Sequence, residues 1–152
     1  MRRILYAVAL LATAGTLFAA DPFEGTWKLN TSQSKSNATP KEETLVIAKQ
    51  GENYLVTITG TDSKGSPIAV KYTAPAGGGP AKILEGPYDA ITTKRIDEQT
   101  RETTYLKGGK QIRTTRGTAA KDGKSVRVTF KGIDAEGKPA MGTLTFDRQA
   151  GT

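Results

Sequence analysis

Phe23-Glu24-Gly25-Thr26-Trp27-Lys28-Leu29-Asn30 decides how this chain reads. It holds the single tryptophan among 152 residues. After it, segments with apolar residues at every second position follow one another almost to the end of the sequence. An indole at the head of such a series points to a closed barrel, with Trp27 plugging one end. The expected fold class is all-β, an antiparallel up-and-down β-barrel of about eight to ten strands after an N-terminal signal peptide.

Upstream of this stretch, Arg2 and Arg3 precede an apolar run from Ile4 to Phe18, then Ala19, Ala20 and the first acid, Asp21. A basic start, a short apolar middle and small residues describe a secretory signal peptide, and the run is short for a membrane span. Cleavage after Ala19 or after Ala20 fits equally. Residues 1–20 are therefore expected as the signal and 21–152 as one domain. The implied location is exported, periplasmic or extracellular. The formal charge of +7 falls to +5 once Arg2 and Arg3 leave. The remaining basic residues are scattered, unlike the dense patch of a nucleic-acid binder.

Downstream, Thr31 to Pro40 is polar and without period, and reads as a loop or flap. Strands are then expected over Thr44–Gln50, Tyr54–Thr59, Ile68–Ala74, Ala81–Leu84, Ala90–Ile96, Thr100–Lys107, Lys110–Ala119, Val126–Phe130 and Met141–Arg148. Gly77-Gly78-Gly79-Pro80 reads as a flexible break and Gly108-Gly109 as a two-residue hairpin turn. Short turns force antiparallel neighbours, and closing the meander removes sheet edges. A sandwich is the competing architecture, but it usually needs longer crossing connections.

The pattern Val-Thr-x-x-Gly-x-Asp-x-x-Gly-x-Pro occurs at Val56–Pro67 and again, offset by 72, at Val128–Pro139. Asp62 and Asp134 are placed to cap turn amides, and Gly65 and Gly137 to take positive φ. This echo is structural and carries no chemistry.

With no His and no Cys, the chain lacks Ser-His-Asp and Cys-His nucleophile systems, the usual zinc ligands and disulfides. Gly123-Lys124-Ser125 lies in a hairpin context with its partner glycine one place off, so it is not a phosphate loop. Ser32-x-x-Lys35 lacks the partner motifs of a serine–lysine acylase. Asn30-Thr31-Ser32 and Asn37-Ala38-Thr39 are formal glycosylation acceptors. Glu42-Glu43 and Glu98/Glu102 read as solvated surface rather than an acid–base pair. No metal, cofactor or catalytic residue is expected, and the chain is not read as an enzyme.

Strands 90–119 lack a clean apolar face. The first offers Ile91, Thr93 and Arg95. The second offers Arg101, Thr103 and Tyr105, or Glu102, Thr104 and Leu106. The third offers Gln111, Arg113 and Thr115, or Ile112, Thr114 and Arg116. In a closed barrel some of these groups face inward, as in a small cavity for an amphipathic anion. The alternative is a sheet packed on one side only, its register misread by one residue.

Phe23-x-Gly25-Thr26-Trp27-Lys28-Leu29 resembles the N-terminal motif of the calycin group, the lipocalins and the fatty-acid-binding proteins. The chain looks most like the small exported lipocalin-like proteins of bacteria. The resemblance implies a Gly-x-Trp closing the barrel floor, with a basic residue of the last strand packed across the indole. Arg148 stands at that place. Two family features are missing. Thr31–Pro40 is too short and polar for a helical lid, and Phe146-Asp147-Arg148 stands where the fatty-acid-binding branch has Arg-x-Tyr. The expected function is binding or carriage of a small amphipathic or hydrophobic ligand, with Tyr54, Val56, Tyr72, Arg95, Tyr105 and Arg113 as the lining. The alternative is a filled barrel without a cavity, acting as an interaction or inhibitory module. No nucleic-acid partner and no membrane span of the mature chain are expected.

Overall fold

The computed structural model of the protein describes residues 21–150; the expected signal peptide lies outside them. The strands are β1 (Gly25–Ser36), β2 (Glu42–Gln50), β3 (Asn53–Thr61), β4 (Pro67–Pro75), β5 (Gly78–Pro80), β6 (Lys82–Glu85), β7 (Ala90–Asp97), β8 (Thr100–Lys107), β9 (Lys110–Ala119), β10 (Ser125–Ile133) and β11 (Pro139–Arg148). All belong to one antiparallel sheet in the order β5-β7-β8-β9-β10-β11-β1-β2-β3-β4-β6. A single sheet excludes the sandwich.

The sheet curls into a nearly closed barrel, and the segment from Gly78 to Glu85 stitches the seam. Its first half, β5, pairs with β7 (Gly79 opposite Thr93). Its second half, β6, pairs with β4 (Tyr72 opposite Ile83). Between them the Ala81 amide donates to the Ile91 carbonyl at 2.8 Å. This corrects the expected flexible break at Gly77–Pro80. Gly78, at φ 97°, lies so near the Lys94–Arg95 backbone that a Cβ would crowd it. The glycines permit close approach rather than freedom.

A second correction concerns Thr31–Pro40. β1 runs through Ser36 and pairs with β11 on both sides of an irregularity between Asn30 and Lys35. The apolar period is missing because side chains hold the strand by hydrogen bonds. Asn30 Nδ2 donates to Asp147 Oδ2 (2.9 Å), the Thr145 amide to Ser34 Oγ (3.0 Å) and Thr145 Oγ1 to the Gln33 carbonyl (3.2 Å). Ser and Asn readily bond backbone groups in this way.

The two ends of the barrel differ. At the floor, residues 21–24 cross beneath the strands and bring Phe23 against Trp27, Ala119, Val126 and Phe146. Trp27 is fully buried, and its Nε1 donates to the Phe23 carbonyl at 3.0 Å. At the mouth stand the β1–β2, β3–β4, β6–β7, β8–β9 and β10–β11 connections. Gly108 and Gly109 take φ of 58° and 75°, as the hairpin reading requires. The two echoed turns are built alike. Asp62 Oδ1 accepts the Lys64 and Ser66 amides, and Asp134 Oδ1 accepts those of Glu136 and Lys138. They also meet, because Lys64 Nζ reaches Glu136 at 3.1 Å and Asp134 at 3.6 Å.

Among the described residues no helix is long and apolar enough to cross a membrane. The outer wall carries Lys71, Glu102, Arg116 and Arg127, and Arg116 pairs with Glu102. A lipid-facing barrel instead carries an outward apolar band.

Candidate functional site: the barrel interior

Inward alternation on β2, β3, β4, β10 and β11 supplies the apolar wall. Leu45, Ile47, Val56, Ile58, Val70, Val128 and Leu144 line a cavity of about 980 Å³ that opens at the mouth. That lies at the upper end of the ~300–1,000 Å³ typical of ligand pockets.

Strands β7–β9 supply the opposite chemistry, and the ladders fix their register. Thr93 stands opposite Thr103, and Thr103 opposite Thr115. One level towards the mouth, Ile91 pairs with Tyr105 and Tyr105 with Arg113. One level towards the floor, Arg95 pairs with Arg101 and Arg101 with Gly117. Among the alternatives the sequence left open, Arg101/Thr103/Tyr105 and Arg113/Thr115 face inward. Arg116 and Glu102 form an ion pair on the outside. On β9 an extra residue, Ile112, sits in a bulge where the register with β8 shifts, so that Ile112 and Arg113 both reach the cavity.

Tyr54, Val56, Tyr72, Tyr105 and Arg113 all line the cavity. Arg95 does not, which corrects its expected place. It is held below, at the floor end. Nη2 donates to the Glu98 carbonyl (2.8 Å), Nε to that of Asp97 (3.2 Å) and Nη1 to Tyr54 Oη (3.3 Å). Arg101 takes the lining position instead. Its Nη1 donates to the Ala76 carbonyl at 2.6 Å, and its guanidinium lies 4.7 Å from the Tyr54 ring.

Arg113 is different. Its guanidinium carbon lies 4.4 Å from the Phe130 ring, and it has no hydrogen bond or ion pair among the described residues. Two neighbours escaped sequence reasoning. Tyr88, from the β6–β7 connection, tilts against Tyr105 with ring centroids 4.7 Å apart. Glu43, read as solvated surface, lines the cavity from β2. Burial pushes its carboxyl above the usual range, and the positive charge of Arg113 partly offsets this. The signal for Glu43 was its place two residues before Leu45 on an inward face, masked by Glu42 beside it.

Burial also raises the phenols of Tyr54, Tyr72, Tyr88 and Tyr105, that of Tyr105 well above its ordinary value. These hydroxyls therefore stay protonated and can donate. Tyr54 Oη is additionally held by hydrogen bonding to Asp21 Oδ2. The interior thus offers neutral donors, one open cation and an apolar wall.

No protein-family model matches this chain, and no curated protein does. Among solved structures it is similar to EF1p2_mFAP2b bound to DFHBI, at TM-score 0.45 and 19% identity over 86% of this chain and 97% of that one. It is similar also to mFAP1, a redesigned beta barrel bound to DFHBI, at TM-score 0.43 and 18% identity over 86% and 98%. A third, from the de novo design of a fluorescence-activating beta barrel, has TM-score 0.39 and 20% identity over 86% and 97%.

Proposed function

We propose that the protein is an exported, non-catalytic carrier of a small amphipathic or hydrophobic molecule, lipocalin-like in design. The observation that carries this reading is the cavity of about 980 Å³, floored by Phe23 of the Trp27 cluster and open above. The lipocalin likeness is supported by Gly25, Trp27 and Arg148 meeting at the floor. Export is supported by the basic, apolar and small residues of positions 1–20. The interior volume counts against the filled-barrel interaction module.

Native mass spectrometry of protein isolated from its own cell envelope tests the reading. A retained small-molecule mass, or a thermal shift with fatty acids, retinoids or bile acids, is the expected result. Neither a retained mass nor any stabilisation would overturn it in favour of the interaction module.

A further inference from the structure

Most polar groups of the interior run along one side from floor to mouth, with Glu43, Tyr54 and Tyr72 added from β2, β3 and β4. The side formed by β7, β8 and β9 presents Arg101 near the floor, the Thr93–Thr103–Thr115 row above it, and Tyr105 with Arg113 nearer the mouth. Facing it, Val128 and Leu144 of β10 and β11 and Ile47 and Val56 of β2 and β3 form an apolar wall, with Glu43 and Tyr54 at its two ends. A ligand with one polar head and a long apolar tail would leave Thr115 Oγ1, and the Tyr72–Thr103 pair near it, facing hydrocarbon. Polar groups left without partners on binding cost affinity.

Building on the carrier reading, we infer that the occupant is a facially amphipathic organic anion. It is a rigid ring system with hydroxyls along one face and an acidic group beside Arg113. Its hydroxyls lie along Thr103 and Thr115, and its bare face lies on the apolar wall. Thr115 Oγ1 makes no hydrogen bond among the described residues, whereas Thr93 Oγ1 already donates to the Gly79 carbonyl at 3.3 Å. The Arg113 guanidinium carries five N–H donors, and no described residue takes them. Stacked on Phe130, it is held in place for a carboxylate or sulfonate, a charge-assisted contact. Glu43 makes no ion pair with this cation among the described residues, which leaves the cation for the ligand.

Calorimetry on ligand-free protein with cholate and palmitate tests this, since one is an anion polar along a face and the other is polar at an end. Cholate should bind about tenfold tighter or more, a gap of ~1.4 kcal/mol. Arg113→Gln should weaken cholate about tenfold. Thr103→Val with Thr115→Val should weaken cholate and leave palmitate unchanged. Melting curves establish that each variant folds. Palmitate binding as tightly as cholate, or cholate binding indifferent to both variants, would overturn the facial reading and leave the carrier reading standing. If neither probe binds, the mass and chemistry of the molecule retained from the cell decide. A polyhydroxylated ring acid supports the inference and a single-headed lipid overturns it. No retained molecule overturns the carrier reading as well.

Discussion

Trp27 and Arg148 are ladder partners across β1 and β11, and the Arg148 guanidinium carbon lies 4.2 Å from the indole ring. The same guanidinium donates to the Gly123 carbonyl at 2.6 Å and the Glu24 carbonyl at 2.7 Å. It therefore ties the last strand to the segment that crosses the floor. Trp27→Ala empties the centre of the floor and should cost about 3–5 kcal/mol. Arg148→Ala leaves the indole in place and should cost about 1 kcal/mol, as an exposed cation–π contact does. Urea unfolding of the two single variants and the double variant measures both. A Trp27→Ala loss below about 1 kcal/mol would mean that the indole is peripheral.

Gly25 completes this pair. It sits at φ 144°, and a Cβ there would run into Arg148 Nη1. Gly25→Ala should destabilise the barrel by about 1–3 kcal/mol through backbone strain and the displaced guanidinium. Adding Arg148→Ala should recover only part of the loss, because removing the clash leaves the strained φ. Full recovery in the double variant would mean that the clash alone matters.

The ion pairs from Lys64 to Asp134 and Glu136 join two mouth turns of the same design. They are exposed, so they contribute little to stability and are weakened by salt. Their effect should appear in exchange through the mouth. Lys64→Gln should leave the melting temperature unchanged and speed release of a bound fluorescent probe in stopped flow. Added salt should speed release from the unmodified protein and much less from the variant. Identical release rates in the two proteins at low salt would show that the latch does not gate the cavity.

The echoed turns were legible in the sequence because Asp and Gly at fixed offsets dictate hydrogen bonds that need no tertiary partner. The barrel was legible because two-residue alternation survives on β2, β3, β4, β10 and β11. Thr31–Ser36 was not, since a strand pinned by Asn30, Ser34 and Thr145 has no apolar period to read. Nor was β5, whose glycines look like a break unless Lys94 and Arg95 are known to lie against them. Within the site, the choice of face on β8 and β9 depended on pairing partners. Arg95 and Arg101 stand opposite one another at the same level, so alternation alone could not choose between them. Arg95 is held by the Asp97 and Glu98 carbonyls, and only Arg101 reaches the cavity.

Glu43 gives the interior a pH signature. Burial raises its carboxyl above the usual range, with Arg113 acting against the shift. In that window the folded chain holds a proton that the unfolded chain has released. Stability therefore falls as pH climbs from the ordinary carboxylate range to the raised value, and the loss is constant above it. Asp97 and Asp134 are shifted the opposite way, chiefly by backbone amides that bond their carboxylates. Their contribution is present above the ordinary range and lost as pH falls. Glu43→Gln removes one term and keeps the other two, so the difference between variant and parent isolates Glu43. Unfolding measured from about pH 4 to about pH 8 should show that difference start flat, rise in favour of the variant and level off. The rise should be larger in an Arg113→Gln background, where nothing offsets the burial of the charge. A flat difference throughout would mean that Glu43 is fully solvated and that the interior holds no buried acid.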